Sequence, residues 1–270
     1  MKLTPGTVAA VTGAGSGIGR ALALSLGARG CALALADVNA DGLSETAALV
    51  AKTGSPKVTT AIVDVAQLPA VSRFASDVEE QHGGAQLLIN NAGVALGGTF
   101  EDVSLEDFAW LIGINFWGVV YGVKAFLPQL RQQSAAHIVN VSSVFGLAAP
   151  PGQTAYAASK FAVRGFTESL RAELKGTPIA VSCVHPGGIR TNIAMNARTT
   201  VTDPAQLADA QEQWQKLLRI PPEQAAAVIV RGIERNRPRI LIGNDARLLD
   251  ALARLFPAGV GRMLAERAKR

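Results

Sequence analysis

Thr7-Val-Ala-Ala-Val-Thr12-Gly13-Ala14-Gly15-Ser16-Gly17-Ile18-Gly19-Arg20 is the stretch that decides the fold. The β-branched and apolar residues from Thr7 to Thr12 read as a short buried strand. The glycines then break it before an amphipathic helix expected over Arg20 to Arg29. A strand, a glycine turn and a helix start together make an anion site, because free backbone N–H groups and the helix dipole point at a phosphate. Glycines also let the backbone come close to that phosphate. The spacing is Gly13-x-x-x-Gly17-x-Gly19 rather than G-x-G-x-x-G, and no Gly-Lys-Ser/Thr closes the loop as in a P-loop.

The next apolar run, Cys31 to Ala36, ends on Asp37. An acidic residue at the carboxyl end of a second strand, roughly 20 residues beyond the glycines, is placed to accept hydrogen bonds from an adenosine ribose and to repel a 2′-phosphate. Asp37 therefore favours NAD over NADP, as does the absence of Lys or Arg at Ser16 and Val38; a plain helix-capping role for Asp37 stays open. The alternation continues. A helix is expected over Asp41 to Lys52, a strand over Lys57 to Val63 ending at Asp64-Val65, and a helix over Ala66 to His82. A strand over Leu87 to Ile89 then ends at Asn90-Asn91-Ala92-Gly93. Ser104 to Arg131 reads as a long helical region with Asn115 set among Ile114, Phe116 and Trp117, either bonded locally or marking a helix irregularity. Further strands are expected at Ile138 to Val141, leading to Ser142 and Ser143, at Ile179 to Val184, and at Ile240 to Ile242 after a helix over Pro222 to Arg235. Apolar strands alternating with helices of ten or more residues imply a parallel sheet covered on both faces. Ligands on such a sheet bind outside the carboxyl ends of its strands, where Gly13, Asp37, Asp64 and Asn91 all fall.

One further pattern concerns chemistry. In Tyr156-Ala-Ala-Ser-Lys160, on a helix running to Leu174, residues four apart lie one turn above each other on one face. A phenol of pKa about 10 is a poor proton carrier at neutral pH. A neighbouring ammonium favours the phenolate and brings the tyrosine toward the range of efficient acid–base catalysis. A Ser143 hydroxyl could hold the substrate oxygen.

Composition limits the alternatives. With 270 residues, 49% hydrophobic and 17% charged, the chain suffices for one compact domain with a sizeable core. No linker, repeat or low-complexity tract interrupts it, and neither a signal-peptide h-region nor a run of about 18 apolar residues is expected. Two cysteines, Cys31 and Cys183, exclude a disulfide scaffold and suit a reducing, cytoplasmic location. His82, His137 and His185 show no metal-ligand spacing, so no metal is expected. The formal charge of +5 is concentrated from Arg219 onward, where 11 basic residues face 5 acidic ones. Scattered arginines without aromatic interleaving argue against nucleic acid as a partner.

With these residues laid out, the chain resembles the short-chain dehydrogenase/reductase family to about Gly243. The motifs are Thr12 to Gly19, Asp64-Val65, Asn90-Asn91-Ala92-Gly93, Asn115, Ser143, Tyr156-x-x-x-Lys160 and Pro186-Gly187. The resemblance implies an α/β, doubly wound, Rossmann-like parallel sheet of about seven strands, a three-layer α/β/α single domain over residues 1–243. It also implies hydride transfer between a nicotinamide and a carbonyl or alcohol carbon. By that resemblance Tyr156 exchanges the proton, Ser143 positions the substrate oxygen, Lys160 lowers the tyrosine pKa and bonds the ribose, and Asn115 anchors a relay water. The phosphate loop is then Gly13, Ser16, Gly17, Ile18 and Gly19, with Asp37 on the ribose. Asp64, Val65, Asn91, Ala92 and Gly93 surround adenine and its ribose, and Pro186, Gly187, Ile189 and Thr191 hold the carboxamide end. Residues 191–218, with Met195, Trp214 and Leu217, resemble a substrate lid, and 94–96 and 144–150 should line the pocket. Only Arg190 and Arg198 could hold a carboxylate, so a neutral, apolar ketone or secondary alcohol is expected.

Residues 244–270 form a basic extension, with Leu248, Leu249, Leu252, Leu255 and Phe256 on one helical face. That face is expected to pack on the protein itself or a second subunit, with peripheral membrane contact as the lesser reading. The resemblance implies a homo-oligomer, dimer or tetramer. Two alternatives stay open: an NADPH-preferring carbonyl reductase, and a catalytically silent nucleotide-sensing or membrane-docking protein on the same fold.

Overall fold

The computed structural model describes residues 1–201 and 203–268, apart from the side chains at 204, 210, 211, 213–215, 262, 267 and 268. The expected alternation is present. Its first half comprises β1 (Val8–Thr12), α1 (Gly17–Gly27), β2 (Ala32–Asp37), α2 (Ala40–Val50), β3 (Val58–Ile62), α3 (Leu68–His82), β4 (Leu87–Asn90), β5 (Leu96–Gly97), α4 (Leu105–Ile112) and α5 (Gly118–Arg131). The second half comprises β6 (Ala136–Val141), α6 (Thr154–Glu173), β7 (Ile179–Pro186), β8 (Arg198–Thr199), α7 (Pro204–Leu217), α8 (Pro222–Glu234), β9 (Arg239–Ile242), α9 (Asn244–Leu255) and α10 (Gly259–Ala268). Seven strands form one sheet in the order β3-β2-β1-β4-β6-β7-β9, every pair parallel. The order reverses between β1 and β4, and the crevice there, outside the carboxyl ends, is where a doubly wound sheet binds ligands.

The central strands β1, β4 and β6 are buried along their whole length, as continuous apolar runs require when helices cover both faces. One face packs Leu22, Leu26, Ile229, Val230 and Ile233 of α1 and α8 against Val11, Leu33 and Ile89. The other packs Phe74, Val78, Phe126 and Leu130 of α3 and α5 against Ala34, Leu88 and Ile138, with the Phe74 and Phe126 rings edge to face at 5.5 Å. Polar rungs fix α6 to the sheet: Asn90 Nδ2 donates to Asn140 Oδ1 (2.9 Å), and Asn140 Nδ2 donates to Thr167 Oγ1 (3.0 Å). These side chains are buried, so each misplacement would leave unpaired polar groups.

Several boundaries differ from expectation for local reasons. Helix α1 begins at Gly17, three residues early, because the glycine loop itself turns into the helix. Leu105–Arg131 is one continuous helical rod, capped at Ser104, in which Gly113–Trp117 is a π-turn with Asn115 at its centre. By length and composition this rod, Leu105–Arg131, could cross a membrane, contrary to the expectation of no such run. One side of it packs on α3, α6 and β4. The stripe expected on the extension is only partly covered: Leu249 and Leu252 are half-buried, whereas Leu248, Leu255 and Phe256 are exposed. Asp250, on the same helix, is buried in ion pairs with Arg239 and Arg254. Of the basic stretch 262–270, residues 269–270 lie outside the described residues, and 259–268 are helical.

Candidate active site

Gly13 and Gly17 take left-handed backbone angles, φ 65° and 51°, that side-chain-bearing residues adopt only under strain. A Cβ on Gly13 would stand 2.7 Å from Ala92 Cα, and one on Gly19 would stand 2.0 Å from Gly13 O. The loop is braced from the next strand. Asn91 Nδ2 donates to Thr12 O and Gly13 O (3.0 Å each), and Thr12 Oγ1 accepts the N–H groups of Asn91 and Ala92. Arg20 ties the loop to α2, donating to Gly15 O (2.7 Å), Thr46 Oγ1 (3.0 Å) and Glu45 (2.7 Å). Helix α1 has no side-chain cap on Ser16 and no acid in its first turn, so its leading N–H groups are left for an anion. Gly13→Ala is expected to cost about 1–3 kcal/mol of stability from backbone strain alone. Chemical denaturation would read that loss, and NADH titration should show binding abolished with it.

Asp37 closes the same loop from β2. Its Oδ2 accepts Gly15 N–H at 2.7 Å and its Oδ1 accepts Asn39 N–H at 2.9 Å. A carboxylate has about four acceptor sites, so lone pairs remain for a ribose diol. A Cβ on Gly15 would meet Asp37 at 2.9 Å, which explains a glycine there. Asp64 Oδ1 accepts Ala66 N–H (2.9 Å), and Val65 is buried against Gly118. These positions share the rim with Asn91, Ala92 and Gly93. A dinucleotide therefore fits the residues present: a glycine cradle with no room for a Cβ, an uncapped helix start and a carboxylate beside them.

Ser143, Tyr156 and Lys160 meet at the end of β6. The Ser143 hydroxyl lies on the Tyr156 side of the site and accepts Phe145 N–H at 3.1 Å. Ser142, its neighbour, donates instead to Lys160 O (2.8 Å), which pins α6 and leaves Ser143 as the serine facing the tyrosine. Lys160 Nζ lies 5.6 Å from the Tyr156 ring centroid and donates to Val141 O at 3.2 Å. Burial pushes this ammonium down to about 8. Burial also raises the Tyr156 phenol above its usual range, with the Ser143 hydroxyl pulling the other way. The expected lowering by Lys160 does not offset this desolvation: the ammonium is turned toward the Val141 carbonyl. Asn115 is fully buried, accepts Val94 N–H (2.8 Å) and donates to Val94 O (2.9 Å) and Ser159 Oγ (3.2 Å). A Cβ on Gly93 would stand 3.2 Å from Asn115 Oδ1 and 3.4 Å from Lys160 Nζ, so both polar groups border Gly93.

The turn after β7 completes the rim. Gly187 N–H donates to Ile242 O (2.9 Å), Ile189 is buried, and Thr191 Cγ2 lies 3.0 Å from where a Gly17 Cβ would be. Pro186 ends the strand. His185, not singled out for a role in the sequence, is buried and hydrogen-bonds Ser143 O through Nδ1 (3.0 Å); burial takes its pKa down to about 4, so the ring is neutral.

Around Tyr156 the walls are apolar. Phe145 stands edge-on to its ring at 6.0 Å, and Val94, Leu96 and Phe108 belong to its packing cluster. Strand β5 pairs with β8, so the segment 191–218 is tied to the β4–α4 loop. Arg198, one of two arginines considered for a carboxylate, is committed elsewhere. It pairs with Asp107 at 2.6 Å and stacks on Trp110 at 3.8 Å. Arg190 is exposed, as are Met195 and Leu217, and the Trp214 side chain lies outside the described residues.

A doubly wound sheet whose rim joins a glycine loop at an uncapped helix start, a carboxylate beside it and a Ser–Tyr–Lys cluster fits a nicotinamide-dependent oxidoreductase. The comparisons agree on a family. The family model described as short chain dehydrogenase matches residues 7–202. SadH of Mycobacterium tuberculosis (strain H37Rv), a protein carrying an oxidoreductase name, is 45% identical over 268 residues, covering 98% of this chain and 96% of its own. A short-chain dehydrogenase/reductase from Burkholderia phymatum, solved in complex with NAD, superposes with a TM-score of 0.86 at 34% identity, covering 94% of this chain and 95% of its own. A short-chain dehydrogenase from Mycobacterium paratuberculosis, solved bound to NAD, gives 0.78 at 27% identity, with 89% and 97% covered. The chain belongs to the short-chain dehydrogenase family and is an oxidoreductase.

Proposed function

We propose that this protein interconverts a neutral, apolar secondary alcohol and its ketone with NAD, with Tyr156 as the general acid/base. The observation that carries this reading is the convergence of Tyr156, Ser143 and Lys160 beneath apolar walls, on the rim that holds the dinucleotide cradle. NAD, which the Burkholderia and M. paratuberculosis neighbours hold, supplies hydride exchange at the substrate carbon when bound. The chain's own residues do the rest. Ser143 holds the substrate oxygen, Tyr156 gives it a proton during reduction or takes one during oxidation, and Lys160 bonds the ribose and biases the phenol. Asn115 keeps an acceptor and donor fixed beside Lys160, from which a water could connect the lysine to solvent. Commitment of Arg198 to Asp107 and Trp110 supports a substrate without a carboxylate. We also infer, from the family, a homo-oligomeric working form, a dimer or tetramer, and, from two buried thiols unpaired by disulfide, a reducing cytoplasm.

The test is absorbance at 340 nm with NAD⁺ or NADP⁺ over a panel of secondary alcohols of increasing apolar size. Turnover that rises with apolar size supports the reading; turnover confined to charged alcohols sinks it. The cofactor choice has its own check. NADH is expected to bind at least about tenfold more tightly than NADPH, because Asp37 would face the extra phosphate across a few Å. Asp37→Ser should narrow that ratio, and tighter NADPH binding by the unaltered protein would instead make it an NADPH-preferring carbonyl reductase.

A further inference from the structure

We propose that Asp245, on the C-terminal extension, is a positioning residue for the nicotinamide half of the cofactor, acting through the backbone of Gly188. The inference rests on the reading above that the turn from Pro186 to Thr191 faces that half. Asp245 sits in the first turn of α9, and its Oδ2 accepts Gly188 N–H at 2.8 Å. A Cβ on Gly187 or on Gly243 would stand 2.2 Å from this carboxylate, so it fills the space between two glycines. Gly243 also has φ 97°, which lets the chain turn sharply from β9 into α9 and bring the carboxylate to the turn. Gly188 is held on its other side as well. Its carbonyl accepts Arg219 N–H and Ile220 N–H (3.0 Å each), where the chain returns from the lid helix α7. The lid return and the extension thus grip one peptide from opposite sides. One residue further on Ile189 is buried, and Thr191 then touches the glycine loop at Gly17.

Without the carboxylate, Gly188 N–H loses a charge-assisted partner and the turn is held from one side only. The adenosine half is built elsewhere, by Asp37, Asp64 and Val65 beyond β1, and has no contact with Asp245. The loss should therefore be selective for ligands that carry the nicotinamide.

The experiment measures dissociation constants of NADH and of ADP-ribose by calorimetry for the full-length protein, Asp245→Ala and Asp245→Asn, with melting temperatures alongside. NADH is expected to weaken about tenfold in Asp245→Ala, the size of one charge-assisted hydrogen bond, while ADP-ribose changes less than about twofold. Asp245→Asn, whose amide oxygen still accepts, should keep most of the NADH affinity. Unchanged NADH binding in Asp245→Ala overturns the proposal, and so does a parallel loss of NADH and ADP-ribose, which would mark a merely structural role. If the unaltered protein binds ADP-ribose as tightly as NADH, the turn does not hold the nicotinamide and the underlying reading falls with the inference.

Discussion

Replacing Tyr156 by phenylalanine is expected to lower kcat about a hundred- to ten-thousandfold, the usual contribution of a positioned acid/base. NADH affinity and the melting temperature should stay close to those of the unaltered protein. The geometry separates these effects. The ring's edge contact with Phe145 and its packing beside Val94 and Leu96 do not involve the phenol oxygen. Ser143 still accepts Phe145 N–H when the phenol oxygen is gone. What disappears is the group proposed to carry the proton. Because burial raises the phenol's pKa, the unaltered protein keeps Tyr156 protonated at neutral pH, which is the form needed to donate to a ketone oxygen. Alcohol oxidation needs the phenolate and should rise with pH through the alkaline range, whereas ketone reduction should not. A phenylalanine variant that retains a tenth or more of the parent kcat would remove Tyr156 from the chemistry and return the serine and lysine to structural roles.

The parts of this molecule that could be read in advance are those carried by short-range patterns. The β1–α1 glycine loop declares itself because conformation and spacing are written in adjacent residues, and the helical partnership of Tyr156 with Lys160 follows from a separation of four. The long apolar strands and their alternation with helices likewise fix the parallel sheet. Groups whose meaning depends on distant partners were not legible. Arg198 reads from the sequence as an available charge, yet Asp107 and Trp110, 91 and 88 positions away, use it. Asp245 draws no attention in the sequence, and only the fold brings Gly188, 57 positions earlier, onto it. The irregularity at Asn115 was suggested by one polar residue in an apolar helix, but its direction was not. A π-turn there offers the amide to Val94 and Ser159 together. Desolvation is the other quantity a sequence hides: spacing alone places an ammonium near Tyr156 but gives no measure of how little water surrounds either group.

That desolvation leads to the second large effect. Lys160→Met is expected to lower kcat at least about a hundredfold while making the protein more stable at neutral pH. In the folded chain burial brings the ammonium from 10.5 down to about 8. Between those two values the unfolded chain binds more protons than the folded one, so stability from this group rises as pH increases through that interval and its full cost is present below pH 8. The cost corresponds to an upper limit of about 3 kcal/mol at neutral pH. Methionine fills similar volume without charge, and it forfeits the bond from Lys160 Nζ to Val141 O, worth about 1 kcal/mol. A net gain of about 1–2 kcal/mol should therefore appear as a melting temperature several degrees higher. The stability advantage of the variant should shrink as the pH is raised from 7 toward 10, because the parent protein sheds its buried charge over that range. A variant that melts well below the parent at pH 7 would mean that Lys160 contributes more through its contacts than its charge costs. A parent and variant equally stable at every pH would mean the ammonium is better solvated than its surroundings imply. The hydrogen bond to Val141 O alone does not offset the burial of this lysine, which accords with the proton-transfer and ribose-binding roles proposed for it above.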